Sequence, residues 1–99
     1  MPYTTKKMDF EWDRSKAATN LAKHGIDFSD VVDVFDDMEL LIIVDHQRYS
    51  ELRYRAIGKV DDQILSVAYM MRAEVCRIIS ARRASRNERK HYRALSAGP

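Results

Sequence analysis

The spacing of apolar residues changes character near residue 40, from a helical period before it to short β-branched runs after it. Phe10-Glu11-Trp12 alternates apolar and polar and reads as a short edge strand. Asp13 then stands as an N-cap for a helix running to His24, with Ala17, Ala18, Leu21 and Ala22 on one face. Gly25 occupies the place of the glycine that ends a helix in the left-handed conformation. A second helix is expected from Phe28 to Phe35, because Phe28, Val31, Val32 and Phe35 follow the i, i+3, i+4, i+7 pattern.

Beyond it, Leu40–Val44 is short, branched and bounded by acids, as a buried strand would be. Leu52–Val60, Ile64–Met71 and Val75–Ala81 read as three more strands. Asp61-Asp62 and Ala73-Glu74 mark tight turns between them, so the three form an antiparallel meander. Ser85-Arg86-Asn87-Glu88 has the spacing of a capping box, opening a short helix to about Leu95. The expected fold is therefore α+β: two N-terminal helices on a four-stranded, mainly antiparallel sheet, with a short C-terminal helix. One domain should take in residues 1–99, with 1–8 and 96–99 as flexible ends. Helices on one sheet face leave the other face in need of a cover or a ligand.

Composition narrows the class. Hydrophobic residues at 45% and charged residues at 32% fit a globular chain and argue against disorder. The longest apolar run, Leu40–Val44, is too short to span a bilayer, and no apolar stretch follows the lysines of residues 1–8 as a secretory signal requires. Cys76 is the lone cysteine, which excludes an internal disulfide, fits the cytoplasm and reads as a buried strand residue. His24, His46 and His91 show no metal-ligand spacing with Cys76, so neither a metal nor another cofactor is expected. Three glycines, Gly25, Gly58 and Gly98, make no phosphate-binding loop, and no nucleophile elbow is present.

Charge changes the picture more. Residues 1–47 hold five Lys/Arg against ten Asp/Glu, a net of −5, whereas residues 48–99 hold twelve against five, a net of +7. Such polarity points to one basic face aimed at a polyanion, unless the halves interleave and neutralise each other. Arg53 and Arg55 share one strand face, opposite Leu52, Tyr54 and Ala56, because side chains alternate. By the same rule Arg77 and Arg83 share a face, and Arg82 lies on the other with Ser80. Arg86, Arg89, Lys90 and Arg93 make a cationic helical stripe, which serves equally as a solvated face. Guanidinium forks match phosphate oxygens in pairs, so Arg55, Arg77 and Arg86 are candidate RNA contacts; Arg77 has the alternative of a structural ion pair with a carboxylate of the acidic helices. Tyr49, Tyr54, Tyr69 and Tyr92 are candidates for stacking bases, although Tyr69 reads as core and Tyr54 as half-buried.

The residues then resemble a known family. Phe10-Glu11-Trp12-Asp13, Lys16, Asn20, Lys23-His24-Gly25 and Phe28 resemble the opening of BrnT-type toxins. Arg77-Ile78-Ile79-Ser80-Ala81-Arg82-Arg83-Ala84, followed by Glu88-Arg89 and Tyr92, resembles their second signature, and Glu51 and Arg53 ahead of Ile57-Gly58 match the middle strand. Ser85 stands where threonine is common, Asp61-Asp62 replaces a glycine-bearing turn, and Leu52 replaces a frequent second acid. The resemblance implies a RelE-like ribonuclease fold and a type II toxin that cleaves RNA and inhibits translation. It also implies a ribbon–helix–helix antitoxin of the BrnA kind, through which alone the complex reaches promoter DNA.

Metal-independent cleavage of RNA by its own 2′-hydroxyl needs one proton taken, one given, and charge stabilised on the phosphate. For that chemistry Arg53, Arg82 and Arg83 are candidate phosphate clamps. His24 is the candidate acid or base, Lys23 a second, and Glu51 a group that orients an arginine or accepts a proton. Lys23 and His24 also suit the last turn of a helix for its dipole alone. The alternative function is a non-catalytic module that holds nucleic acid or an acidic protein with the basic half.

Overall fold

The computed structural model describes residues 8–48 and 51–96. Tyr49 and most of the ends expected to be flexible lie outside them. The chain runs β1 (Asp9–Trp12), α1 (Arg14–His24), α2 (Phe28–Val31) continued by a 3₁₀ turn (Val32–Asp36), β2 (Leu41–Arg48), β3 (Glu51–Val60), β4 (Gln63–Arg72), β5 (Val75–Arg83) and α3 (Arg86–Ser96).

The fold is α+β as expected, but the sheet has five strands in the order β1-β5-β4-β3-β2. The expected count of four left out β1, which pairs in parallel with β5 from Asp9↔Val75 to Trp12↔Ile78, while β2 to β5 form an antiparallel meander. The alternation in Phe10-Glu11-Trp12 thus marks a real strand at the sheet edge, and its parallel partner lies some sixty residues away, where no local signal reaches.

Local chemistry sets the helix ends. The Asp13 side chain accepts from the Lys16 N–H at 3.1 Å, and Gly25, at φ 70°, donates to the Leu21 carbonyl at 2.8 Å. The inward side of α1 differs from the expected Ala17/Ala18/Leu21/Ala22 stripe: Ala17 packs on the core, Asn20 is buried, and Leu21 is 48% exposed. Asn20 explains the rotation. Its amide donates to the Ile26 carbonyl at 3.1 Å and its oxygen accepts from the Ala81 N–H at 3.0 Å, so it satisfies β5 where β1 has stopped pairing with it. The expected second helix is α-helical only to Val31 and then tightens. At three residues per turn Phe28, Val31 and Val34 fall in one line, and all three are fully buried.

Those three side chains form the main core with Ala56, Val67, Tyr69, Cys76, Ile78 and Ala81, each worth roughly 1.5–3 kcal/mol when large and apolar. An aromatic row crosses it: Phe10 on Phe35 at 5.3 Å, Phe35 on Tyr69 at 5.1 Å, and Tyr69 stacked on Tyr54 at 5.5 Å. Gly58 lets the 3₁₀ turn lie against β3, since a Cβ there would stand 2.9 Å from Val34 Cγ1 and 3.0 Å from its carbonyl oxygen. Cys76 is fully buried, and burial pushes its thiol up to about 12, so it is an inert core residue.

The second sheet face carries α3 at one end. Tyr92 and Ala84 pack there on Ile57, with Leu41 and Ile64 alongside. The Tyr92 hydroxyl donates to Asp37, whose carboxylate also accepts from the Lys59 N–H at 2.7 Å and the Glu39 N–H at 2.9 Å. The capping box forms as its spacing predicts: Ser85 Oγ accepts from the Glu88 N–H at 3.2 Å, and Glu88 Oε1 accepts from the Ser85 N–H at 2.8 Å.

Candidate functional site

Beyond α3, the second face is laid out by register in two ranks. One runs Ile43, Arg55, Ala68 and Ser80; the next sets Met70 beside Arg77 and Arg77 beside Glu11, with Arg53 two residues along β3 from Arg55. The rank nearest α3 reads Leu41, Ile57, Ser66 and Arg82. Long cationic side chains therefore border a strip of small residues, Ser66, Ala68 and Ser80. Ser66 and Ala68 are buried, and Arg53, Arg55, Arg77 and Arg82 are half-buried around them. The acids of residues 27–36 belong to segments packed on the opposite face, where Asp27, Asp30, Asp33, Asp61 and Asp62 border a cavity of about 460 Å³. The charge halves separate only in part: the acidic cavity takes Asp61 and Asp62 from the basic half, and Glu11 of the acidic half pairs with Arg77 on the arginine face.

A β-bulge decides which arginines meet. Ala68 pairs with Ser80 but Tyr69 pairs with Ile78, so Ile79 is an extra residue in β5. A one-residue slip exchanges the faces of everything beyond it. Arg77 consequently shares its face with Ser80 and Arg82, and Arg83, opposite Leu65, lies on the helix side. Strict alternation had paired Arg77 with Arg83 and set Arg82 apart; the bulge reverses that. Arg53, Arg55, Arg77 and Arg82 come together, and Arg83 does not join them.

Two of these groups, Arg55 and Arg82, are joined by a hydrogen-bonded chain. Arg55 Nη1 donates to Ser66 Oγ at 2.8 Å, and Ser66 donates in turn to Glu88 Oε2 at 3.2 Å. Arg82 grips the same carboxylate with both ends of its fork, Nη1 to Oε1 at 2.7 Å and Nη2 to Oε2 at 3.1 Å. Burial pushes the Glu88 carboxyl up, but the Arg82 bonds, the Ser85 N–H, the Arg82 charge and the Ser66 hydroxyl outweigh it and hold the group down at about 2. Arg77 is tied to Glu11 at 3.1 Å, a structural ion pair whose carboxylate comes from β1 rather than from the acidic helices expected to supply it.

The remaining candidates sit at the margins. Lys23 and His24, exposed in the last turn of α1, border a groove of about 290 Å³ with Lys16, Thr19, Ile79 and Ser80. Ser80 is the residue of the arginine face that this groove shares with them. Glu51 is exposed at the start of β3, on the parity of Arg53 and Arg55 and about 14 Å along the strand from Arg55. Arg86 lies on the outer stripe of α3 with Lys90 and Arg93, beside a groove of about 550 Å³, while Arg89 Nη1 donates to the Ala84 carbonyl at 2.6 Å. Tyr92, a candidate for stacking a base, is 6% exposed and holds Asp37, and its ring forms part of the seat of α3. Tyr54 and Tyr69 are likewise turned to the core and stacked on each other.

Sequence reasoning missed Ser66 and the second task of Glu88. The available signal was a serine within the apolar run Ile64–Met71, where a polar side chain must find a partner.

Among curated proteins, none matches the chain. Residues 12–88, from the last residue of β1 to the capping-box glutamate of α3, match the model of the ribonuclease toxin BrnT of type II toxin–antitoxin systems. That span contains the arginine face, the bulge that assembles it and the carboxylate that ties it together, and with it the chain belongs to the BrnT family of ribonuclease toxins.

Proposed function

We propose that the chain cleaves RNA on the part of its sheet face not covered by α3, without a metal ion, and that the cleavage arrests translation. The observation that carries this reading is the gathering of Arg53, Arg55 and Arg82 around the strip Ser66–Ala68–Ser80. Guanidinium groups gathered beside the small side chains of Ala68 and Ser80 accept a sugar–phosphate backbone and supply charge where a pentacoordinate phosphorus needs it.

In the proposed reaction a ribose O2′ attacks the adjacent phosphorus while its proton passes to a base. The P–O5′ bond breaks, O5′ takes a proton, and the products carry a 2′,3′-cyclic phosphate and a free 5′-hydroxyl. His24 and Lys23, at the β5 rim beside Ser80, supply the proton transfers. Glu51 orients Arg53 from two residues away on the same strand face. Arg77, braced by Glu11, and Arg86 extend the contact to neighbouring phosphates. Arg83, on the other face, has no part in the clamp.

The cognate partner in this reading is a ribbon–helix–helix antitoxin of the BrnA kind, which carries the complex to promoter DNA, and the setting is the cytoplasm. Among the described residues no helix is long and apolar enough to cross a membrane. Purified Arg53→Ala and His24→Ala variants test the mechanism: each should lose RNA cleavage by tenfold or more, on the order expected for losing a charge stabiliser or a proton-transfer group. Full activity in both would sink it. RNA bound by the wild-type chain but left uncut, even on translating ribosomes, would favour a non-catalytic binding module.

A further inference from the structure

Glu88 does two jobs at once. Its Oε1 accepts from the Ser85 N–H at 2.8 Å, which closes the capping box at the start of α3, and from Arg82 Nη1 at 2.7 Å. Its Oε2 accepts from Arg82 Nη2 at 3.1 Å and from Ser66 Oγ at 3.2 Å, and Ser66 accepts from Arg55 Nη1 at 2.8 Å. A capping box needs only one of those bonds; either glutamate or glutamine supplies it. The others serve the sheet.

β4 lies between β3 and β5, so Arg55 and Arg82 approach the same carboxylate from opposite sides of Ser66. An arginine on a sheet face has four rotatable bonds and many open orientations in water. Bidentate bonding fixes the plane of the Arg82 fork, and the Ser66 hydroxyl passes the same anchor to Arg55. Ser66 is fully buried and the Glu88 side chain is 16% exposed, so these bonds are made away from the bulk of the solvent.

We propose that Glu88 is a positioning residue of the ribonuclease site, which sets the orientation of Arg82 directly and of Arg55 through Ser66, and that the folding of the first turn of α3 is thereby coupled to the assembly of the arginine clamp. The proposal rests on the ribonuclease reading above for its kinetic consequence, and on the hydrogen-bonded chain alone for its structural one.

Three variants separate the jobs. Ser85→Ala removes the reciprocal cap but leaves the Ser85 N–H and every bond to the arginines. Glu88→Gln keeps an oxygen for the Ser85 N–H but turns an amide toward Arg82 Nη2 and Ser66. Ser66→Ala removes both bonds of the hydroxyl, the one from Arg55 and the one to Glu88, and leaves the Arg82 fork on Glu88, with a side chain small enough to keep the packing in place. Each is measured for melting temperature, for kcat and KM on a short RNA, and for the arginine Nε–Hε signals in a ¹H–¹⁵N spectrum without RNA.

The expected result is a lower melting temperature in both Ser85→Ala and Glu88→Gln, but a fall in kcat of about ten- to a hundredfold only in Glu88→Gln, with KM changed far less. Ser66→Ala should show a smaller fall of the same kind. The Arg55 and Arg82 signals should move in Glu88→Gln, and those of Arg55 in Ser66→Ala, while Ser85→Ala leaves both in place. Activity that follows melting temperature alike in Ser85→Ala and Glu88→Gln, or arginine signals unmoved in Glu88→Gln and Ser66→Ala, would overturn the proposal. Should the wild-type chain leave RNA uncut, the ribonuclease reading fails by itself, and the spectra still decide whether Glu88 holds the arginines.

Discussion

Replacing Tyr92 with phenylalanine removes one oxygen atom from the seat of α3 and should be felt across the whole molecule. The hydroxyl donates to Asp37 from a side chain that is only 6% exposed, and Asp37 belongs to the segment that follows the 3₁₀ turn on the other side of the sheet edge. A hydrogen bond to a charged acceptor contributes about 1.5–3 kcal/mol net. Asp37 keeps its bonds from the Glu39 and Lys59 N–H groups in the variant and is not orphaned, which places the loss in the lower half of that range, about 2 kcal/mol. For a domain of this size that is a fall of roughly 10 °C in melting temperature, or about 1–2 M in the urea midpoint. Trp12 is the single tryptophan and packs edge-on against Phe28 at 6.0 Å, so its fluorescence reports the transition.

The same bond predicts a pH dependence. Burial pushes the Asp37 carboxyl up, but the Tyr92 hydroxyl, the Glu39 and Lys59 N–H groups and the Lys59 charge together leave it below its ordinary 3.8. A carboxyl whose folded value is depressed contributes its full stability above the unfolded value and loses it as pH falls through the folded one. The difference between Tyr92→Phe and wild type should therefore be constant from about pH 5 to 8 and shrink below about pH 4. An exposed, base-stacking tyrosine behaves otherwise, because its hydroxyl bonds water in either state. Unchanged stability in Tyr92→Phe would refute the assignment of this ring to the seat of α3.

Other variants probe other parts of the fold. Asn20→Ala leaves the Ala81 N–H and the Ile26 carbonyl without their partner and should cost about 2–4 kcal/mol, with fast hydrogen exchange at the Ala81 amide as its specific sign. Gly58→Ala drives a methyl into Val34 and Leu40, for a loss of roughly 1–3 kcal/mol in urea titration. Ala73→Gly acts in the opposite direction: Ala73 sits at φ 54°, so glycine relieves about 1–2 kcal/mol of backbone strain against a smaller entropic cost, and the melting temperature should rise by a few degrees. Glu88, held at about 2, stabilises the fold above its ordinary 4.5 and less and less as pH falls toward 2, so acid unfolding in that window should be shallower in Glu88→Gln.

Where a residue answers to its near neighbours, the sequence was legible. Asp13, Gly25, the Ser85–Glu88 box and the two-residue turns at Asp61 and Ala73 are each settled within four residues, and each appears where its spacing puts it. The shared face of Arg53 and Arg55 followed from simple alternation, because β3 pairs with β4 in unbroken register. Alternation failed for Arg82 because Ile79 is an extra residue in β5, and nothing in Ile78-Ile79-Ser80 tells a bulge from a regular strand. Asn20, Tyr92 and Ser66 find their partners 61, 55 and 22 residues away, respectively. Composition marks such residues as polar groups needing partners, and only the fold says which. The site suffers most from this, since its arginines are assembled by a bulge and a shared carboxylate rather than by a contiguous motif.

The most direct test of the central claim is cleavage of an end-labelled RNA by the purified chain in excess EDTA, with the product ends mapped. Metal-independent cleavage on the arginine face predicts 2′,3′-cyclic phosphate and 5′-hydroxyl ends that form undiminished in EDTA and are lost in Arg53→Ala. Cleavage that stops in EDTA and returns with a divalent cation, or products bearing 5′-phosphates, would contradict it.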